Sequence, residues 1–154
     1  MKIKYLRAIA AVERIHRIFF EVIGSELASA DITDINSVQA LLIYHIGNKS
    51  LTVGELTARG YYLGTNVSYN LRKITKLGYA NQTEAKHDKR SSIIALSSKG
   101  MQVHKAVDKA ISKHANLAKK EELLAIDDIC NSLSQLEMFF GKLMLNNPHL
   151  HVEE

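Results

Sequence analysis

LTVGELTARGYYLGTNVSYNLRKITKLGYANQTEAKHDKRSSIIALSSKG, residues 51–100, is the stretch that decides the fold. Thr52 and Glu55 stand at capping-box spacing, a hydroxyl followed three residues later by a carboxylate, and predict a short helix running to about Gly60. The turn Tyr61-Tyr62-Leu63-Gly64 separates it from a second helix, about Thr65 to Leu77, closed by Gly78. On this second helix Val67, Leu71, Ile74 and Leu77 share one face, and the opposite face is expected to show Asn66, Ser68, Tyr69, Asn70, Arg72, Lys73 and Lys76. Residues 79–86 and 91–96 read as two short strands around the charged tip His87-Asp88-Lys89-Arg90, although their alternation is weak. Ser97-Ser98-Lys99-Gly100 then caps a long helix to about Lys120.

Working outward, residues 5–28 form a helix whose Leu6, Ile9, Val12, His16, Phe19, Ile23 and Leu27 recur at spacings of three and four. Ile15, Ile18, Phe20 and Val22 extend its apolar surface beyond one stripe, so it should be covered on two sides. Asp31 to Ser37 is rich in N-cap residues and opens a helix over roughly 34–47. A last helix, about 122–145, places Ile126, Ile129, Leu133, Leu136, Phe140 and Leu143 at helical spacing, and the tail NNPHLHVEE is expected to fray. The expected fold is mainly α with a small β-hairpin wing. In it a winged helix-turn-helix module over 34–96 is flanked by dimerisation helices over 1–30 and 100–146, all within one domain of 154 residues.

Charge locates the function. Arg59, Arg72, Lys73, Lys76, Lys86, Lys89 and Arg90 face only Glu84 and Asp88 within residues 59–90, whereas the flanking segments are close to neutral and the whole chain carries +4. A polyanion docking on that segment explains the clustering; a chance group of solvated lysines is the plainer alternative. Two short helices joined by a tight turn, the second polar and basic on one face, suit the major groove of duplex DNA, where base edges present a distinguishable donor and acceptor code. Asn66 and Asn70 offer donor and acceptor together, as adenine requires. Arg72, Lys73 and Lys76 suit phosphates, while Thr65, Ser68 and Tyr69 suit either target. Lys86, His87, Lys89 and Arg90 on the hairpin would lie along the backbone or enter a minor groove. Asp88, repelled by phosphate, is expected to hold the shape of the wing.

The run 51–100 resembles the MarR family of winged-helix regulators. The resemblance is carried by "LT" before a short helix, a basic helix ending in "LG", "DKR" at the wing, and a strand followed by "LSSKG". It implies a homodimer presenting two modules to a pseudo-palindromic operator in double-stranded DNA, while the short uncharged run at the N-terminus and the single cysteine point to the cytoplasm. Asp88 and Arg90 match the family's wing residues, and Ser68 falls where Thr or Ser is common. Tyr69 stands where many members carry arginine, and Gly54 and the Tyr61-Tyr62 pair are also unusual. Many relatives respond to a small aromatic or lipophilic acid effector, for which Arg17, Phe19, Phe20, Tyr44 and His45 are the candidate liners here, with plain core packing as the alternative for each.

Other classes fit less well. No glycine-rich phosphate loop, nucleophile elbow or paired carboxylates in an evident pocket point to an enzyme, and neither catalytic residues nor a cofactor is expected. The seven histidines form no H-x-x-x-H or Cys/His cluster, so no metal site is expected. Cys130, between Ile129 and Leu133 and near Asp127 and Asp128, reads as a buried structural thiol rather than a redox sensor. The longest uncharged run near the N-terminus, Ala8–Val12, is too short for a membrane span. A nonspecific or architectural DNA-binding or protein-docking dimer without an effector is the competing reading.

Overall fold

A computed structural model describes residues 1–58, 64–85, 88–120 and 126–146, with the backbone alone at 64, 65, 84, 85 and 88–91. In chain order the elements are α1 (Lys2–Ser29), α2 (Ser37–Ile46), β1 (Leu51–Thr52), α3 (Val53–Ala58), α4 (Gly64–Lys76), β2 (Ala80–Ala85), β3 (Asp88–Leu96), α5 (Ser98–Lys120) and α6 (Ile126–Asn146). They group into two compact units, residues 1–113 and 114–154.

Local chemistry starts the helices of the first unit. Asn36 accepts from the Gln39 backbone N–H while the Gln39 side chain accepts from the Asn36 N–H, so α2 begins in a reciprocal box. Thr52 and Glu55 repeat that arrangement ahead of α3, with Oγ1 of Thr52 accepting from the Glu55 N–H at 3.1 Å and the Glu55 carboxylate accepting from the Thr52 N–H at 2.7 Å. Ser37 Oγ donates to the Phe20 carbonyl at 2.6 Å and pins the start of α2 to α1.

The core is one apolar cluster. Ile23 and Leu27 of α1, Leu42, Ile43 and Ile46 of α2, Leu56 of α3, Val67, Leu71 and Ile74 of α4, Ile94 of β3, and Val103 and Val107 of α5 are all buried in it. Each such side chain contributes roughly 1.5–3 kcal/mol of burial. This fixes which face of α4 points inward.

The sheet has the order β1-β3-β2 and is antiparallel throughout. Leu51 pairs with Ile94 and Thr52 with Ile93, so the segment leading into α3 is itself the third strand of the wing sheet, which the sequence reading did not include. A two-residue strand shows too little alternation to be seen in sequence; the ladder with β3 creates it.

α4 ends on Gly78, in the left-handed region at φ 79°, with the Tyr79 N–H returning to the Ile74 carbonyl at 2.8 Å. α5 starts where Ser97 Oγ accepts from the Gly100 N–H and donates to the Gly78 carbonyl, while the Ser97 N–H donates to the Tyr79 carbonyl. A Cβ on Gly100 would sit 2.0 Å from the Tyr79 carbonyl oxygen.

α6, described in its own unit, buries none of its residues. Cys130 is exposed, contrary to the expected buried thiol, because its helix has no covered face. The first half of α1 is similarly open: Ile3, Leu6, Val12, Ile15 and Ile18 are exposed, and only Ile23 and Leu27 of the long apolar stripe are buried.

Gly100→Ala should lower stability by at least about 1–3 kcal/mol, since the clash is with backbone that cannot rotate away. The urea midpoint should fall with the slope unchanged; a midpoint equal to the parent's would contradict the close approach.

Candidate nucleic-acid interface and adjoining cavity

α4 packs on α2, α3 and β2 through its apolar face. Asn66, Ser68, Tyr69, Arg72, Lys73 and Lys76 are exposed, and Tyr69, Arg72, Lys73 and Lys76 follow at spacings of three and four, so they share one stripe. Tyr69 is 54% exposed, a large aromatic ring held in solvent at the middle of a polar and basic surface.

Asn70 does not belong to that surface. It is only 8% exposed, and its Nδ2 donates to the Asn66 carbonyl at 2.8 Å. Lying three residues after Val67 and four before Ile74, it is turned toward the apolar edge of the helix. That spacing was the signal available in the sequence; polarity alone placed Asn70 on the wrong face. The side chains of Thr65, Asp88, Lys89 and Arg90, together with residues Lys86 and His87, lie outside the described residues.

A cavity of about 680 Å3 opens between α1, α2 and α4, lined by His16, Phe19, Phe20, Asn36, Val38, Leu41, His45, Asn66, Tyr69 and Asn70. Phe20 is flanked by the His16 imidazole, centroids 4.5 Å apart, and by Phe19 at 6.2 Å. Three of the five residues expected to line an effector pocket, Phe19, Phe20 and His45, are therefore brought together here. Arg17 lies in an adjoining hollow of about 550 Å3 that shares His16, Phe20 and Val38 with the first. Tyr44 is elsewhere: its ring stacks on His104 at 5.3 Å and its hydroxyl lies 3.5 Å from Asp108. Sequence reasoning missed His16, Val38 and Leu41, and above all the contribution of α4 to the cavity wall. Only the crossing of α1 and α2 with α4 places them together.

The MarR family model matches residues 30–91. The exopolysaccharide II synthesis transcriptional activator ExpG of Rhizobium meliloti (strain 1021) is 31% identical over 146 residues, which cover 90% of this chain and 73% of that protein. The chain belongs to the MarR family. The fold recurs among solved structures, two of them as follows. FabT of Streptococcus pneumoniae, in complex with DNA, has a TM-score of 0.68 at 20% identity, covering 90% of this chain and 99% of that one. The transcriptional regulator BldR of Sulfolobus solfataricus has a TM-score of 0.70 at 12% identity, covering 88% and 95%. The mostly helical architecture with a small antiparallel wing sheet is thus that of MarR-family transcription regulators.

Within this MarR-family chain, the base of the wing is held by a polar cluster outside the cavity. Tyr79 donates its hydroxyl hydrogen to Asp34, Lys99 Nζ reaches Asp34 at 3.0 Å and the Leu77 carbonyl at 3.1 Å, and the same ammonium lies 3.9 Å over the Tyr79 ring. The Tyr79 hydrogen bond, helped by Lys99, holds the Asp34 carboxyl below its ordinary range against a smaller opposing effect of burial. Burial and Asp34 push the Tyr79 phenol up, and Asp34 raises Lys99. Among the described residues no group of three His, Cys, Asp or Glu is placed to hold a metal ion, and no helix is long and apolar enough to cross a membrane.

The cluster sets a pH dependence. With its folded pKa depressed, Asp34 adds stability that is present above its unfolded value of about 4 and is lost as pH falls through the lower folded value. Asp34→Asn should be less stable than the parent near neutral pH, with the gap closing as the solution is acidified below about pH 4. Chemical unfolding at a series of pH values measures this, and a gap that does not close on acidification would contradict the assignment.

Proposed function

We propose that this chain acts as a homodimer that binds a pseudo-palindromic operator in double-stranded DNA, with α4 in the major groove and the wing beside it. The observation that carries this reading is the division of α4 into a buried apolar face and an exposed face bearing Asn66, Ser68, Tyr69, Arg72, Lys73 and Lys76. Arg72, Lys73 and Lys76 neutralise phosphates; Asn66, Ser68 and Tyr69 meet base edges. Thr65 and the wing residues Lys86, His87, Lys89 and Arg90 add backbone contacts, with Asp88 shaping the wing. Asn70 supports the reading surface from below by fixing the Asn66 carbonyl rather than touching DNA itself. FabT, a protein of the same fold, has been solved in complex with DNA, which supports a DNA-binding role for the fold.

A second copy of the chain is the partner that best suits the uncovered apolar faces of α1 and α6. Burial of such faces drives most association, and a twofold pair would set two α4 helices about one DNA turn apart, roughly 34 Å. The cavity beside α4, with Phe19, Phe20 and His45 inside it and Arg17 in the adjoining hollow, suits a small aromatic or lipophilic acid that modulates DNA binding. The competing reading is a nonspecific or architectural winged-helix dimer without an effector.

Gel shifts with the duplex upstream of the chain's own gene against random duplex of equal length separate the two readings. A clear preference for the former, at matched salt, is expected; equal affinity would overturn the specific reading. Lys73→Ala should weaken both duplexes alike and lower the slope of log affinity against log salt by about one. Asn66→Ala should instead change the preference among operator variants by ~1–3 kcal/mol, read by competition binding.

A further inference from the structure

The cavity beside α4 is walled by α4 itself. Of the three residues that this helix contributes, Asn66 and Tyr69 are exposed, whereas Asn70 is buried and bound to the Asn66 carbonyl, so it is fixed. Tyr69 differs from it: it lines the cavity and is also 54% exposed on the stripe that carries Arg72 and Lys73. One aromatic side chain thus borders both the ligand space and the proposed DNA surface. A tyrosine can serve both, because its ring is apolar enough to border a cavity that Phe19 and Phe20 also line, while its hydroxyl can bond to water, base or phosphate. An arginine, the residue that the family resemblance leads one to expect here, would keep its guanidinium out of an apolar cavity.

We infer that Tyr69 couples occupancy of this cavity to DNA binding by direct competition: the ring packs against a bound aromatic acid or against the duplex, but not against both at once. This inference rests on the operator-binding and effector readings proposed above. It assigns the coupling to one side chain of the reading helix rather than to a distant rearrangement. A planar aromatic carboxylate is the ligand class, with its ring system beside Phe19, Phe20 and Tyr69 and its acid group toward Arg17. A ligand shifts an equilibrium only through unequal affinity for the two states, and a Tyr69 ring held in the cavity by the ligand supplies that inequality. The coupling is reciprocal, so DNA must weaken the ligand by the factor with which the ligand weakens DNA.

The test uses 2-naphthoate on the full-length protein. Isothermal titration calorimetry gives its affinity, and fluorescence anisotropy at constant ionic strength gives the affinity for the operator duplex, with and without saturating naphthoate. The parent protein should lose at least about fivefold in DNA affinity, within the usual range of allosteric coupling. Tyr69→Phe should keep that loss because the ring is retained. Tyr69→Ala and Tyr69→Arg should still bind naphthoate through the rest of the cavity yet show no change in DNA affinity when it is added. Tyr69→Arg, which keeps a side chain able to contact DNA, covers the case in which Tyr69→Ala binds duplex too weakly to measure. Retention of the full coupling in Tyr69→Arg overturns the inference and leaves the effector reading standing. Naphthoate and operator binding the parent without affecting each other would overturn the inference and the effector reading together. Absence of naphthoate binding to the parent overturns the effector reading and the inference together, whereas loss of operator preference in the gel shifts above strikes the DNA reading separately.

Discussion

The approach of residue 100 to the carbonyl of Tyr79, too close for any side chain but hydrogen, is the constraint on which the DNA-binding module rests. Tyr79 is where the end of α4, the first wing strand and the start of α5 converge. Its N–H closes α4, its carbonyl receives the Ser97 N–H that leads into α5, and its hydroxyl reaches Asp34 ahead of α2. Fixing one peptide therefore fixes the exit of α4, the root of the wing and the direction of the following helix together. The exposed Lys99–Asp34 ion pair trims this geometry but does not carry it, since exposed pairs contribute little. The buried Tyr79, Ile94 and Val103 side chains supply the larger stabilisation.

What could be read from the sequence was what is decided locally. The Thr52–Glu55 box, the cap at Ser97 with Gly100, and the glycine closing α4 involve residues at most five apart, and each appears where the spacing placed it. β1 was not legible, because a two-residue strand exists only through its pairing with Ile93 and Ile94, some forty residues away.

The site was legible in part, and the gaps share one cause. Ranking α4 residues by polarity put Asn70 beside Asn66, but burial follows angular position on the helix, and Asn70 falls next to Ile74. Selecting aromatic residues for the cavity brought in Tyr44, which packs on His104 instead, and left out Val38, Leu41 and Tyr69. Which side chains meet across three helices depends on crossing geometry that no single segment encodes. The apolar excess of α1 and α6, by contrast, was plain from composition and reappears as exposed Ile15, Ile18, Leu133 and Phe140.

The partition of α4 into a holding face and a displayed face bears on how such a regulator diverges. Val67, Leu71 and Ile74 are locked into the core, and replacing any of them with alanine would cost about 2–5 kcal/mol for a leucine or isoleucine, a large share of a small domain's stability. Asn66, Ser68, Tyr69 and Arg72 touch almost nothing in the core, so exchanging them leaves folding nearly unchanged. If the displayed face reads DNA as proposed, a duplicated copy of the gene could drift to a new target by surface substitutions alone, one base preference at a time, without passing through an unstable intermediate. Asn66 and Tyr69 are the exceptions within that free set, because both also line the neighbouring cavity. Any substitution at either rewrites that wall, so at those two positions the proposed target preference and chemical responsiveness would evolve as a single trait.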